Sequence, residues 1–163
     1  MKMVFFLFSV ILVFAVNESV FTQDWKKIVP FVSTCKDVKK TFGTGKCQYP
    51  RSDFDHTDFS VSIHFYEGSC TGKEKSSAGQ QTYSLPKGTV LSVSVRFKKL
   101  MALSDYKRDL SKYEVKQEPD LPNYKIYTNK EIGEEITVVN NEWIQNIFRF
   151  ESSSNKQKFL CKK

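Results

Sequence analysis

Two segments of the chain alternate strictly between apolar and polar residues. The apolar positions are every second residue: Phe59, Val61, Ile63 and Phe65 in the first segment, and Leu91, Val93, Val95 and Phe97 in the second. Because successive side chains of a β-strand point to opposite faces, this pattern predicts two strands, each with one buried face and one polar face. Burial on one face only is typical of an antiparallel sheet.

Three further strands are predicted in the C-terminal half, over residues 124–128, 135–139 and 143–150. Asn140-Asn141 separates the last two. Asparagine tolerates the positive φ that a tight hairpin needs, so these strands are expected to pair. In the N-terminal half we expect a short strand over residues 46–50, followed by a polar turn.

Helical spacing occurs at two places. Thr34 precedes an apolar pattern of Cys35, Val38 and Phe42, and Asp37 stands three positions after Thr34, so a capping box and a helix are predicted there. Gly43 is expected to end this helix.

A second short helix is predicted from Ser104, with Tyr106 and Leu110 four positions apart. The fold class is therefore α+β, with short helices packed on one face of an antiparallel sheet. The order of a helix followed by strands occurs over residues 33–98 and again over residues 104–150, which suggests two repeats.

The N-terminus predicts export. Lys2 precedes an apolar run over residues 4–16, which is shorter than the roughly 18 to 20 residues of a membrane-spanning helix. We therefore predict a signal peptide over residues 1–15, a flexible segment over 16–24 and a single α+β domain over 25–163. The expected location is secreted, either extracellular or periplasmic, and an uncleaved signal is the one expected route to a membrane.

The cysteine count also suits an oxidising compartment. The four cysteines are Cys35, Cys47, Cys70 and Cys161. They allow three sets of two disulfides, and the sequence alone does not choose among them. Closeness along the chain favours Cys35 with Cys47, which leaves Cys70 with Cys161. Without a Cys-x-x-Cys motif and with two histidines, neither a metal nor another cofactor is expected.

The formal net charge is +7, but the basic residues are scattered along the chain. Because a nucleic-acid site combines a dense basic patch with a recognisable binding motif, no nucleic-acid partner is expected. The charge is instead consistent with a soluble monomer.

Candidate catalytic and metal-binding residues are few. The polar turn contains Asp53, Asp55, His56 and Asp58, but it lacks the glycine and the final glutamate of an EF-hand calcium loop. His64 could act as a general acid or base, but the sequence does not identify a partner carboxylate. No nucleophile elbow or phosphate-binding loop is present, so no catalytic residue is assigned.

Aromatic residues are frequent, with 14 Phe, 7 Tyr and 2 Trp. Most of these rings are needed for a core, but five of them fall where they could reach a surface: Trp25, Tyr66, Tyr106, Tyr124 and Trp143. The expected binding surface consists of His64 together with Trp25, Tyr66, Tyr124 and Trp143.

Two segments carry a family resemblance. The helix opening Ser33-Thr34-x-x-Asp37-Val38-x-x-x-Phe42-Gly43 resembles that of small exported bacterial proteins of the SmpA/OmlA type. The hairpin from Tyr127-x-Asn129-x-x-x-Gly133 through Val138 to Trp143-Ile144-x-x-Ile147 is similar to their closing strands. This resemblance implies two helices against a sheet, and relatives of the β-lactamase-inhibitor type repeat that unit in tandem.

A closer resemblance is to small secreted bacterial proteins without an established activity. They share the helix signature and segments like Gly88-Thr89-Val90-Leu91-Ser92 and Asp109-Leu110-Ser111-Lys112-Tyr113. The chain lacks the lipid-acceptor cysteine of the outer-membrane lipoproteins. We therefore expect a non-enzymatic domain that binds a protein or cell-envelope partner through an open sheet face. The alternatives are a small hydrolase-like enzyme with a site around His64 and His56, and a structural envelope protein.

Overall fold

The computed structural model describes residues 20–68, 83–117, 119–153 and 157–159. An N-terminal 3-10 helix (Val20–Lys27) precedes helix α1 (Cys35–Phe42). The strands are β1 (Arg51–Asp55), β2 (Phe59–Phe65), β3 (Val90–Ala102), β4 (Glu114–Gln117), β5 (Tyr124–Asn129), β6 (Glu134–Val139) and β7 (Trp143–Arg149). Short 3-10 turns cover Leu103–Tyr106, Leu110–Lys112 and Gln157–Phe159.

The strands form one seven-stranded sheet in the order β1-β2-β3-β7-β6-β5-β4, and all neighbours are antiparallel. When the register is followed across β5, β6 and β7, Glu114 at the start of β4 lies in the same row as Ser94, near the start of β3. Ala102 ends β3 at the opposite side of the sheet, beside Trp143. Residues 103–113, which we call the crossover, must therefore pass over one face of the sheet to reach β4.

That face carries the main core. Trp25 and Ile28 from the N-terminal segment, Val38 from α1, and Tyr106 and Tyr113 from the crossover pack on it. They cover the buried side chains of the central strands: Phe59, Val61, Ile63, Phe65, Val93, Val95, Ile136, Val138, Ile144 and Ile147. Burial of each such side chain stabilises the fold by roughly 1.5 to 3 kcal/mol relative to exposure.

The opposite face, which we call the open face, is polar along β2 and β3. There it carries Ser60, Ser62, His64, Ser92, Ser94 and Arg96, which are half-buried or exposed. A smaller apolar cluster lies near the start of β3 and contains Phe31, Tyr66 and Tyr83, with Phe159 against it.

The structure confirms several local predictions. Helix α1 begins after Thr34, whose backbone N–H and hydroxyl both donate to the Asp37 carboxylate, at 2.8 and 2.9 Å. Gly43 follows the helix with φ of 66°. Asn140 and Asn141 adopt φ of 54° and 62° in the hairpin between β6 and β7. The antiparallel sheet and the strands β2, β3, β5, β6 and β7 are also as predicted.

The predictions for residues 46–55 were wrong. Residues 46–50 are not a strand, and β1 covers Arg51–Asp55, so that the polar turn expected over residues 53–58 is limited to residues 56–58. Ser52 is buried in β1 because its hydroxyl accepts from the N–H of Gln48 at 2.8 Å and donates to the Gln48 carbonyl at 3.1 Å. A serine on the inward side therefore hides the alternation on which the prediction depended.

The second predicted helix is replaced by two 3-10 turns. Lys107, between them, has φ of 48°, which interrupts any helix from Tyr106 to Leu110. The crossover must also span the sheet, and a short α-helix would not reach. The described residues thus form an antiparallel sheet with one α-helix, so the α+β class holds only coarsely and the two repeats are not confirmed. Strand β4 was not predicted, because all four of its residues are exposed.

Cys35 and Cys47 form a disulfide with Cα atoms 6.0 Å apart, which ties α1 to the segment before β1. No free cysteine is present among the described residues. Cys70, Cys161 and the predicted signal peptide over residues 1–15 lie outside them.

Candidate functional site

The structure divides the five residues of the expected binding surface. His64 is exposed on the open face, Tyr124 is half-buried there, and Trp143 is 39% exposed. Trp25 is only 2% exposed and belongs to the main core, while Tyr66 is 6% exposed and belongs to the smaller cluster. The rings of Trp25 and Tyr66 are therefore not part of an exposed surface.

Tyr124 and Trp143 lie in one row across the open face. Each pairs with Val139, Tyr124 from β5 and Trp143 from β7. Ile126 stands two positions after Tyr124 on the same face, because strand side chains alternate. We call Tyr124, Ile126, Val139 and Trp143 the aromatic row. The sequence suggested the two rings, but only the register shows that they are close together.

The next row along the strands is mostly polar. Arg96 on β3 pairs with Asn146 on β7, which pairs with Thr137 on β6, and Thr137 pairs with Ile126 on β5. The Ser94 hydroxyl lies 3.2 Å from Asn146 Oδ1 and donates to it. The exposed Arg96 guanidinium makes no hydrogen bond or ion pair within the described part of the chain. Its donors therefore remain available beside the aromatic row.

A hydrogen-bonded group, which we call the Asp53 network, occupies the other end of the open face. The Asp53 carboxylate accepts from Ser62 Oγ at 2.5 Å and from Arg51 Nε at 2.8 Å. Arg51 Nη2 also donates to Ser62 Oγ at 2.9 Å. The hydrogen bond from Ser62, assisted by that from Arg51, lowers the pKa of Asp53. His64 pairs with Arg51 in the register, and desolvation followed by repulsion from Arg51 lowers the pKa of its imidazole.

The second histidine lies elsewhere. His56 is in the turn between β1 and β2, where its ring stacks on Phe59 with centroids 4.6 Å apart and its Nδ1 accepts from the Asp58 N–H at 3.3 Å. Most of β2 separates His56 from His64, a distance of roughly 15 Å or more at about 3.3 Å per residue. The two histidines therefore do not share a site.

The two aspartates of β1 are already engaged. Asp55 forms an ion pair with Lys98 at 2.6 Å, and Asp53 belongs to the network with Arg51. Among the described residues no group of three or more His, Cys, Asp or Glu is arranged to hold a metal ion. Nor does the described part contain a helix of the length and apolar character that crossing a membrane requires.

A buried polar group on the covered face was not predicted. Glu134 on β6 is 1% exposed and accepts from the Tyr113 hydroxyl at 2.7 Å, while Arg108 Nη2 lies 3.5 Å from its second oxygen. Glu134 pairs in the register with Arg149, which donates to the carbonyls of Lys26 and Ile28 at 3.0 Å each. We call Glu134, Tyr106, Tyr113, Arg108 and Arg149 the Glu134 cluster.

Burial and the Glu134 carboxylate dominate the electrostatics of this cluster. Burial, followed by the hydrogen bond to Glu134, raises the pKa of Tyr113 well above its usual value. Burial, followed by repulsion from Glu134, does the same to the pKa of Tyr106. Both phenols therefore stay protonated at neutral pH. No residue spacing in the sequence could have indicated this cluster, because its members come from the crossover, β6 and β7.

Comparisons with protein-family models, with curated proteins and with solved structures found no match to this chain. The functional interpretation therefore depends on the geometry described above.

Proposed function

We propose that the protein is an exported, non-enzymatic domain that binds another protein through its open face. The observation that carries this proposal is the aromatic row of Tyr124, Ile126, Val139 and Trp143 beside the exposed Arg96. Trp, Tyr and Arg are the residue types that contribute most binding energy at protein interfaces. The chemistry of the partner follows: an apolar patch that meets the aromatic row and a carboxylate that meets Arg96.

An open sheet face suits a protein surface better than a small ligand. Small-molecule sites are concave and enclose most of the ligand, whereas the open face presents side chains on consecutive strands of a continuous sheet. The hydroxyl and amide groups of Ser94, Thr137 and Asn146 can supply the polar rim that surrounds an interface core.

Support for export comes from the Cys35–Cys47 disulfide, since disulfides form and persist in oxidising compartments. The apolar run after Lys2 agrees with this location. Mass spectrometry of the exported protein should give an N-terminus at Val16 or within a few residues of it. An intact Met1 in a membrane fraction would instead establish an anchor.

The interface is tested with a photo-crosslinking residue in place of Asn146, applied to the native exported fraction and followed by mass spectrometry of the product. The same residue in place of Ile132 is the control, because Ile132 is 46% exposed in the turn before β6. We expect one protein to be captured from position 146 and not from position 132. Equal capture from both positions would contradict the proposal.

The captured protein, once purified, permits affinity measurements. Trp143→Ala should weaken binding at least tenfold, which corresponds to about 1.4 kcal/mol, and Arg96→Gln should weaken it to a similar degree. Ile132→Ala should have no effect. His64→Ala and His56→Ala should keep the affinity within about tenfold, since neither belongs to the aromatic row. If the protein shows a measurable turnover that His64→Ala abolishes while the fold stays intact, the function is enzymatic and the binding proposal is wrong.

A further inference from the structure

Strand β1 is an edge of the sheet, because β2 is its one neighbour among the described strands. Just before β1, the Pro50 carbonyl accepts from the Phe65 N–H at 2.8 Å. Just after β1, the His56 N–H donates to the Phe59 carbonyl at 2.9 Å. Bonded and non-bonded pairs alternate in an antiparallel ladder, so the even-numbered residues of β1 bond to β2. The odd-numbered residues therefore turn their backbone groups to the free edge.

Asp53 and Asp55 are the odd-numbered residues in the middle and at the end of β1. Among the described residues, no group donates to or accepts from their outward backbone N–H and C=O groups. Unpaired backbone groups at the edge of a sheet are a template for a further strand. This edge can therefore pair with an extended segment of another chain.

A cavity of about 440 Å³ lies beside this edge. Phe42, Phe54 and Phe59 line it on the apolar side, and the rings of Phe42 and Phe54 stack with centroids 4.3 Å apart. Asp53 and Asp55 line the same cavity. Its volume is in the range of ligand pockets, which are largely apolar with a few polar groups. The unpaired backbone and the aromatic rings thus meet in one place.

The charges around the cavity indicate which side chains a bound strand would carry. Asp53 and Asp55 flank Phe54, and because side chains alternate along a strand, both carboxylates lie on the opposite face from its ring. They are 60% and 77% exposed. Their ion pairs with Arg51 and Lys98 are therefore weak and can be exchanged for pairs with a ligand at low cost. Two cations on the bound strand would complement the two carboxylates.

We propose that β1 binds an extended segment of a partner protein in which an aromatic residue stands between two lysines or arginines. The segment adds an antiparallel strand to the sheet, and its two basic residues pair with Asp53 and Asp55. The aromatic residue lies opposite Phe54, and its side chain enters the cavity. In recognition by strand addition, backbone hydrogen bonds give affinity and pockets for alternate side chains give specificity. This site is separate from the aromatic row, which lies on β5, β6 and β7.

The test uses a fluorescein-labelled peptide, Ser-Thr-Val-Lys-Phe-Lys-Val-Thr-Ser, and measures fluorescence polarisation with the mature protein. A second peptide has Ala in place of Phe, and a third has Glu in place of both Lys. We expect saturable binding of the first peptide, at least tenfold tighter than that of either other peptide. Equal binding of all three, or no saturation by the first below about 1 mM, would overturn the proposal.

N-methylated peptides test the backbone pairing without a change in the protein. The N–H groups of the two Lys residues face β1 in the proposed pairing, whereas that of Phe faces away from it. Methylation of both Lys nitrogens should therefore weaken binding at least tenfold, and methylation of the Phe nitrogen should leave it within about threefold. If the Phe nitrogen is the more sensitive one, the peptide does not pair with β1 as proposed.

Two variants separate this site from a general effect of charge. Asp55→Asn should raise the dissociation constant of the first peptide at least threefold, because it removes one carboxylate beside the cavity. Glu142→Gln removes the same charge from an exposed residue in the turn between β6 and β7 and should have no effect. If both variants weaken binding equally, the peptide is attracted by net charge and the site is wrong.

Discussion

The two faces of the sheet each carry a carboxylate that is bound by an arginine and a hydroxyl. On the covered face Glu134 is held by Arg108 and Tyr113, and on the open face Asp53 is held by Arg51 and Ser62. The chemistry is nearly the same, but the burial is not. The Glu134 side chain is 2% exposed, and that of Asp53 is 60% exposed.

This difference in burial changes what each group does. An exposed ion pair is screened by water and contributes about 0 to 1 kcal/mol, because its charges interact almost as well with solvent. A buried carboxylate has lost that solvent, so removal of any one partner leaves a charge or a donor unsatisfied. The Glu134 cluster is therefore expected to fix the crossover against β6 and β7, whereas the Asp53 network can exchange its partners at low cost.

The comparison also separates stability from binding. A surface that binds a partner must give up hydrogen bonds to water, and an exposed network such as that of Asp53 can be rearranged when this happens. The covered face cannot be rearranged without opening the crossover. Binding to another protein is thus expected on the open face, and the strongest effects on folding are expected on the covered face.

The largest expected effect is that of Glu134→Gln. The variant leaves Arg108 and Arg149 without their carboxylate, and we expect the unfolding free energy to fall by about 3 kcal/mol. Urea denaturation at neutral pH measures this loss. The matched variant on the open face, Asp53→Asn, should lower it by less than about 1 kcal/mol. Losses of equal size would mean that burial does not distinguish the two networks.

The second-largest effect on stability is expected in the turn before Glu134. Gly133 has φ of 67°, and a Cβ at this residue would lie 2.2 Å from the Phe150 carbonyl oxygen. Gly133→Ala should therefore lower the unfolding free energy by about 2 to 3 kcal/mol, since both strain and a backbone clash result.

Gly43 is the control for this prediction, because its φ is 66° but, its chain neighbours aside, no atom of the described residues lies within 4 Å of the place that a Cβ would take. Gly43→Ala should show only the strain of the left-handed conformation, about 1 kcal/mol. Thermal denaturation of both variants tests the difference. If Gly43→Ala is the more harmful one, the close approach of Gly133 to Phe150 is not what fixes this end of β6.

Tyr113→Phe should have a smaller effect. It removes one hydrogen bond to a buried carboxylate, which costs about 1.5 to 2 kcal/mol, whereas Ser62→Ala on the open face should cost under about 1 kcal/mol. The folded-state pKa of Tyr113 is raised above its ordinary value of 10.0. Its contribution is therefore complete below pH 10 and is lost as the pH rises further. The difference between wild type and Tyr113→Phe should shrink above pH 10, and a difference that grows there would contradict the assignment.

The elements that were predicted correctly are those in which the pattern of their own residues determines which side chains are buried. Strand β2 was evident because Phe59, Val61 and Ile63 alternate with small polar residues. Helix α1 was evident because Thr34 and Asp37 form its capping box. In each case the signal lies within a few residues, so no knowledge of the rest of the fold was needed.

Predictions failed where the environment comes from distant residues. Ser52 lies on the inward side of β1 opposite Ile63 of β2, and the crossover takes its form from the distance between β3 and β4. The same applies to the candidate sites. Trp143 and Tyr124 could be named from the sequence, but their common row depends on Val139 and the register of three strands.

The smallest expected effect concerns His64, at the edge of the Asp53 network. Desolvation and repulsion from Arg51 hold the pKa of His64 below 6.5, and attraction to Asp53 opposes them. Arg51→Gln should therefore raise this pKa and Asp53→Asn should lower it further, as followed by the imidazole proton signals in an NMR titration. Because the folded-state pKa is depressed, the associated stability is present above pH 6.5 and is lost as the pH falls through the folded value. The loss of stability at acidic pH should therefore be smaller in Arg51→Gln. If the pKa of His64 moves in the same direction in both variants, Arg51 and Asp53 do not control it through their charges.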